Sequence, residues 1–359
     1  MKSYLKNIKG IYIDNSVKNS VIAKSVIKNS NHKIFFGDFS SFQDSDFKKG
    51  FIYVLRYKGR FFRRCPGTKF YNCCGYKIIH IGEGCPLNCS YCILKAYFSH
   101  QSVKVWGNID DLFRELEQVF ADKNKRFRVG TGEFTDSLAL EPLTNYSRYL
   151  ITFLNNFENV VLELKSKIVD LSWTDVVKDP RKILPAWSLN AIDISKKEEI
   201  LTSKIEDRLK AAKRCVDMGF RVCLHFDPII YYPGWERGYS QVIDLIFDYL
   251  RPEHIAYMSL GSFRGMPNLF EFIEKNWPET EYIFSGEYIQ GIDGKMRLFR
   301  PLRVKQFKFI IDRLKRYGLS NELYFCMESD EVWKACFGYT PKELGGLANH
   351  LIRRSFGCM

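Results

Sequence analysis

From residue 77 onward, stretches rich in β-branched and aromatic residues alternate six times with stretches of helical period, and this alternation most narrows the folds open to the chain. The predicted strands cover residues 78–81, 127–131, 160–164, 184–189, 222–226 and 254–260, with amphipathic segments at 110–122, 146–155, 205–218 and 239–250 between them. Gly219 follows the third of these as a C-cap signal. Strands separated by helices pair in parallel through right-handed crossovers, which predicts an α/β barrel or an open sheet. In either, ligands gather at the carboxyl ends of the strands.

Both flanks depart from the alternation. Residues 10–37 read as a small βαβ unit, with Ile11-Tyr12-Ile13 and Lys33-Ile34-Phe35-Phe36 extended and 17–27 helical, and 39–49 is a polar loop. After the sixth strand, residues 282–300 carry aromatics on both sides of Gly291-Ile292-Asp293-Gly294 and predict a β-hairpin. A helix over 304–316 and a strand over 324–327 complete the chain. The expected division is an N-terminal βαβ subdomain at 1–63, a barrel at 64–281, and a hairpin and helix extension at 282–359 that packs on the barrel. With 29 Phe and 20 Tyr among 359 residues, disorder is excluded as the main state. No run reaches the ~18 apolar residues of a membrane span, and the first thirty residues hold no block fit for a signal peptide. A cytoplasmic protein without a membrane partner is therefore expected.

Lys and Arg total 54 against 41 Asp and Glu, a net charge of +13 that favours polyanions through counterion release, nucleic acid first among them. A generally basic proteome would give the same excess. The eleven cysteines are more specific, since a large chain without a secretion signal uses thiols for metal or redox chemistry rather than for disulfides. Gly84-Cys85-Pro86-Leu87-Asn88-Cys89-Ser90-Tyr91-Cys92 follows the first barrel strand and sets three thiols at C-x3-C-x2-C spacing. Three thiolates on one loop can hold three irons of a [4Fe–4S] cluster, leaving the fourth iron free to chelate the amino and carboxylate groups of a small molecule. The alternative is a structural zinc site that draws its fourth ligand from Cys65, Cys73 or Cys74, in a non-enzymatic nucleic-acid-binding protein. Cys215, Cys223, Cys336 and Cys358 read as core or tail residues.

C-x3-C-x-aromatic-C after the first strand of a six-fold βα pattern resembles the radical S-adenosylmethionine superfamily. Within it, the Cys65 to Tyr97 block, the run Pro233-Gly234-Trp235-Glu236-Arg237-Gly238-Tyr239 and the hairpin before Arg303 resemble the spore photoproduct lyase and DNA repair photolyase-like family. The resemblance implies an α/β fold of partial (βα)6 barrel type. Cys85, Cys89 and Cys92 would hold the cluster. Tyr91 would lie along the adenine of S-adenosylmethionine and serve the radical relay. Gly130, Gly132 and Glu133 would meet the methionine amino group, and Lys167 and Ser188 the carboxylate or ribose. Asn190 and Asp227 fall at the ends of later strands, where barrel chemistry collects.

The same resemblance implies that a one-electron donor such as ferredoxin or flavodoxin drives cleavage of the cofactor to a 5′-deoxyadenosyl radical, which abstracts hydrogen from DNA in lesion repair or modification. The family's hairpin inserts at the lesion, which makes Tyr288, Lys295, Arg297 and Arg300 the expected nucleic-acid contacts, alongside the rings of Tyr282, Phe284 and Phe299; a barrel-closing ribbon with its rings in the core is the other reading. The chain departs from the family at two places. Phe134 stands before Thr135 where the family has a hydrogen-donating cysteine, and Ile93 stands where a tyrosine follows the third cluster cysteine. A phenyl ring has no weak S–H or O–H bond to give, so dimer reversal itself is in doubt unless Cys326, or Cys73 with Cys74, substitutes. A radical enzyme acting on RNA, peptide or a small metabolite is the alternative.

Overall fold

The computed structural model describes residues 3–68 and 70–357; Cys358 lies outside the described residues. Its centre is an eight-stranded sheet in the order Leu323–Phe325, Ile255–Ser262, Val222–Ile229, Ile183–Ser188, Val160–Ser166, Phe127–Gly130, Lys77–Ile79, Phe62–Arg64. Every neighbouring pair is parallel except the last. The six strands expected from the sequence thus stand side by side in chain order as a curled half-barrel. The 324–327 segment, expected in the extension, adds a seventh parallel strand to the same sheet. These strands are buried along nearly their whole length, as strands covered on both faces must be.

The helices cover the outer face with apolar stripes. Ile109, Leu112, Leu116 and Phe120 recur at helical spacing on Ile109–Phe120, and Trp235, Tyr239, Val242, Ile243 and Ile246 do so on Trp235–Tyr249. Each such side chain contributes about 1.5–3 kcal/mol when fully buried.

A second sheet takes the order Ile34–Gly37, Gly10–Asp14, Phe51–Leu55, Val103–Trp106, Gly82–Glu83. Its first strands and the helix Val21–Asn29 form the expected βαβ unit. The strands Phe51–Leu55 and Val103–Trp106 were not foreseen. Through them the sheet reaches Gly82–Glu83, directly before the first clustered cysteine.

The 282–300 hairpin is shorter than expected. Only Tyr288–Gln290 and Met296–Leu298 pair, with Arg264–Gly265 as a third strand. Tyr282 leaves the ribbon for the core, where its ring meets Phe263 at 5.3 Å and its hydroxyl lies 3.3 Å from Ser90 Oγ. The helix after it begins early, at Arg300, and runs to Arg316. Among the described residues no helix is long and apolar enough to cross a membrane.

Candidate active site

A cavity of about 810 Å³ opens at the carboxyl ends of the barrel strands. Cys85, Cys89, Cys92 and Tyr91 line one wall; Gly132, Glu133, Lys167 and Ser188 line the adjoining strand ends. The sequence-predicted residues therefore converge, with Gly130 just beneath the lining.

The loop that carries the thiols is braced at every step. Gly84 has φ 78°, and a side chain there would stand 2.4 Å from the Ser102 carbonyl, so only glycine lets the chain turn this close to its neighbour. Asn88–Cys89 pairs antiparallel with Glu199–Ile200. The Ser90 amide donates to the Glu198 carbonyl at 2.9 Å, and its hydroxyl donates to the Glu198 carboxylate, which also accepts from Thr280 Oγ1 at 3.0 Å. Tyr91 is buried and donates its hydroxyl to Glu199. Glu199 in turn pairs at 2.6 Å with the wholly buried Arg208, whose guanidinium also donates to the Ser188 carbonyl at 2.7 Å. A buried pair with its remaining donors satisfied fixes geometry more than it adds stability. Glu198, Glu199 and Arg208 carry no sequence signal for this role, because charged residues at a helix end or on a helix look solvated until their partners are known.

On the strand side, Asp136 organises the Gly132–Ser137 turn. Its carboxylate accepts from the amides of Leu138 (3.0 Å), Ala139 (2.9 Å) and Lys167 (2.8 Å), and from Ser166 Oγ (2.7 Å). Lys167 is thereby aimed into the cavity, its Nζ 5.6 Å from the centre of the Tyr91 ring. At Gly130 a Cβ would lie 1.6 Å from the Tyr76 hydroxyl. That hydroxyl is buried without a hydrogen-bond partner. Glu133 pairs with Lys165 at 2.9 Å.

The cavity floor is a network the sequence did not disclose. Glu163 accepts from Tyr257 and lies 3.2 Å from His225 Nε2 and 3.4 Å from Arg128, and His225 Nδ1 meets Ser259 Oγ at 2.7 Å. Burial opposes ionisation of Glu163, but His225 and Arg128 outweigh it and hold the carboxyl down to about 2. Asn190 belongs to the frame: it accepts from the Tyr239 hydroxyl at 2.6 Å and donates to the Pro228 carbonyl at 3.1 Å. Asp227 does face the cavity, at a register shift between Phe226 and Ile229 that turns the strand there.

Burial and the Asp136 carboxylate push the Cys85 thiol up, and burial pushes Cys89 to about 12. To be held as thiolates there, these groups would need a positively charged core between them, which an iron–sulfur cluster provides. Among the described residues no three His, Cys, Asp or Glu side chains converge tightly enough to share one ion. A cubane does not require this, because each thiolate binds a different iron. The donor set fits the cluster.

The other wall is made of residues 65–68, of Phe70, Cys74 and Tyr76, and of the ribbon. Cys65, Cys74 and Cys326 line it as free thiols, and Cys73 is exposed. Cys215 and Cys223 are buried and Cys336 half-buried. Phe134 faces the cavity, packed edge-on against His80 at 4.8 Å. Of the expected nucleic-acid contacts, Arg297 is consumed by the fold. Only 2% exposed, it pairs with Asp293 at 2.7 Å, lies over the Tyr71 ring at 3.9 Å and donates to the Met327 carbonyl at 3.1 Å. Tyr288 packs on Phe270 and Phe263 with its hydroxyl buried. Lys295 lines the cavity and Arg300 is exposed.

A half-barrel with a three-thiol loop after its first strand is the architecture of the radical S-adenosylmethionine class. The sequence profile of the spore photoproduct lyase family matches residues 71–295. The chain belongs to that family. It is 22% identical over 253 residues to the spore photoproduct lyase of Clostridium acetobutylicum, covering 68% of this chain and 73% of that one. The Bacillus subtilis spore photoproduct lyase is 23% identical over 250 residues, 68% and 70% of the two chains. A solved structure of a spore photoproduct lyase double mutant with bound AdoMet and dinucleoside spore photoproduct superimposes with a TM-score of 0.75 at 17% identity, over 89% of this chain and 98% of that one.

Proposed function

We propose that this chain is a radical S-adenosylmethionine enzyme that acts on DNA, with a reaction distinct in its last step from simple dimer reversal. Cys85, Cys89 and Cys92 hold a [4Fe–4S] cluster. When bound, the cluster and S-adenosylmethionine, fed by a one-electron donor such as ferredoxin or flavodoxin, supply a 5′-deoxyadenosyl radical for hydrogen abstraction. The chain's own residues do the placing. Gly132 and Glu133 present a carbonyl and a carboxylate to the methionine ammonium, with Gly130 beneath them giving room for Tyr76, and Lys167 meets the methionine carboxylate. Ser188 serves the ribose. Tyr91 offers its ring to the adenine while Glu199 fixes its hydroxyl. Lys295, with Arg300 outside, offers cations to a DNA backbone.

The observation that carries this reading is the convergence of the three thiols, Lys167 and Ser188 on one cavity whose far wall bears Lys295. Family membership supports it, as does a relative solved with dinucleoside spore photoproduct. Phe134 supports the qualification about the last step, since the ring lines the cavity with no hydrogen to give.

The test is anaerobic reconstitution. The expected protein is brown, holds about four irons and four sulfides, cleaves S-adenosylmethionine when reduced, and binds DNA with a steep salt dependence. Lys167→Gln should keep its iron while its KM for S-adenosylmethionine rises about tenfold or more. Zinc in place of iron would overturn the reading, and absence of salt-sensitive DNA binding would move the substrate to another class.

A further inference from the structure

We propose that Ser262, Arg264 and Lys295 form a phosphate-binding station inside the cavity, which takes an internal phosphodiester of the substrate strand. The proposal rests on the DNA reading above and deepens it.

Arg264 is opposite Arg297 in the antiparallel ribbon, so the two side chains share a face, and Lys295, directly before the strand Met296–Leu298, lines the same cavity as Arg264. The three charges are unevenly met. Arg297 is closed off by Asp293 and Tyr71. Arg264 has one carboxylate beside it, Asp227, at 3.4 Å; it also donates to the Ser262 carbonyl at 3.1 Å and faces Cys326 Sγ at 3.5 Å. Lys295 is half-buried, and among the described residues no carboxylate reaches its Nζ within ion-pair distance. Burial pushes its pKa down and the Arg264 guanidinium adds to this, against a smaller pull from Asp293.

Ser262 adds a hydroxyl. It is 2% exposed, opens on the same cavity, and its Oγ has no hydrogen-bond partner. Gly261 makes room for the assembly: a Cβ there would lie 2.4 Å from Asp227 Oδ1 and 3.0 Å from Arg264 Nη1, so the pair rests against bare backbone. A guanidinium, an ammonium and a hydroxyl facing one space are phosphate donors. Two cations less Asp227 leave one positive charge, which matches the single negative charge of a phosphodiester better than the two of a terminal phosphate. The station binds and orients; no bond changes there.

The experiment uses the reconstituted protein and competition against a labelled oligothymidylate. The competitors are thymidylyl-thymidine, its neutral methylphosphonate form, and thymidine 5′-monophosphate. The native protein should prefer the charged dinucleotide over the neutral one by about tenfold, and Lys295→Gln and Arg264→Gln should abolish that preference. The log–log salt slope for the oligonucleotide should shrink by about 0.7 in Lys295→Gln. Because the probe is altered as well as the protein, the test does not depend on Arg264→Gln folding.

Equal binding of the two dinucleotides by a native protein that still binds the oligonucleotide would overturn the station and leave the DNA reading standing. So would an undiminished preference in Lys295→Gln. Monophosphate binding that needs Lys295, without oligonucleotide binding, would overturn both the diester assignment and the DNA reading. No binding of any probe would sink both as well.

Discussion

The two walls of the cavity are built on different terms. On the sulfur side, the loop is pinned by a strand pairing at Cys89, by Glu198 and Glu199, and by a glycine that nothing larger could replace. On the ribbon side stand cations with unfilled hydrogen-bond capacity, free thiols and exposed apolar tips such as Ile292 at 68%. The contrast teaches where precision is required. Radical chemistry needs its groups held to a fraction of an ångström, and strand ends locked by buried ion pairs supply that. On the proposed function the ribbon wall would receive a polymer, which needs donors in reserve and backbone that can adjust.

Breaking the sulfur wall should be all-or-none. Cys89→Ala should lower cofactor cleavage by more than about a thousandfold, as loss of one member of a cooperating set does, with iron content falling alongside. Oligonucleotide affinity should stay within about twofold, and a parallel loss would show that the walls are one unit. Glu199→Gln leaves Arg208 buried with its charge uncompensated, at a cost of about 3–5 kcal/mol. Thermal melting and iron content should both drop, while Glu133→Gln, at a half-buried pair, should move melting far less.

Gly130→Ala forces Tyr76 aside and should cost about 1–3 kcal/mol by denaturant titration, with Tyr76→Phe in the same chain, which removes the unpartnered hydroxyl nearest the new methyl, restoring part of it. The cavity floor adds a pH term. The folded-state pKa of Glu163 is depressed, so its stabilisation is present above the ordinary carboxylate value and is lost as pH falls toward about 2. Unfolding free energies from urea titrations between pH 5 and pH 2.5 should decline by up to ~1.4 kcal/mol per unit from this group, and Glu163→Gln should flatten that part of the profile. The smallest effect lies between the walls. Phe134→Cys should raise clean turnover on a thymine cross-link severalfold, measured as product against side products, and clean repair by the native protein would contradict the role given to the ring.

The half-barrel was legible because buried parallel strands and amphipathic helices have different periods, and the sulfur loop because its spacing is local. Phe51–Leu55 and Val103–Trp106 escaped because two short strands paired across some fifty residues leave no periodic trace. Aromatic content overstates the hairpin because it reports burial rather than strand: Tyr282 is buried but belongs to the core. Arg297 carried a hint in Asp293, four residues before it, which a charge-only reading passed over. The Glu163 floor was out of reach, since its members come from four different strands and meet only after folding.

The short pairing between Asn88–Cys89 and Glu199–Ile200 has one more consequence. Peptide hydrogen bonds and a buried carboxylate tie the three-thiol loop to a segment more than a hundred residues away, so a substitution at Glu199 is transmitted to the backbone of Cys89 itself.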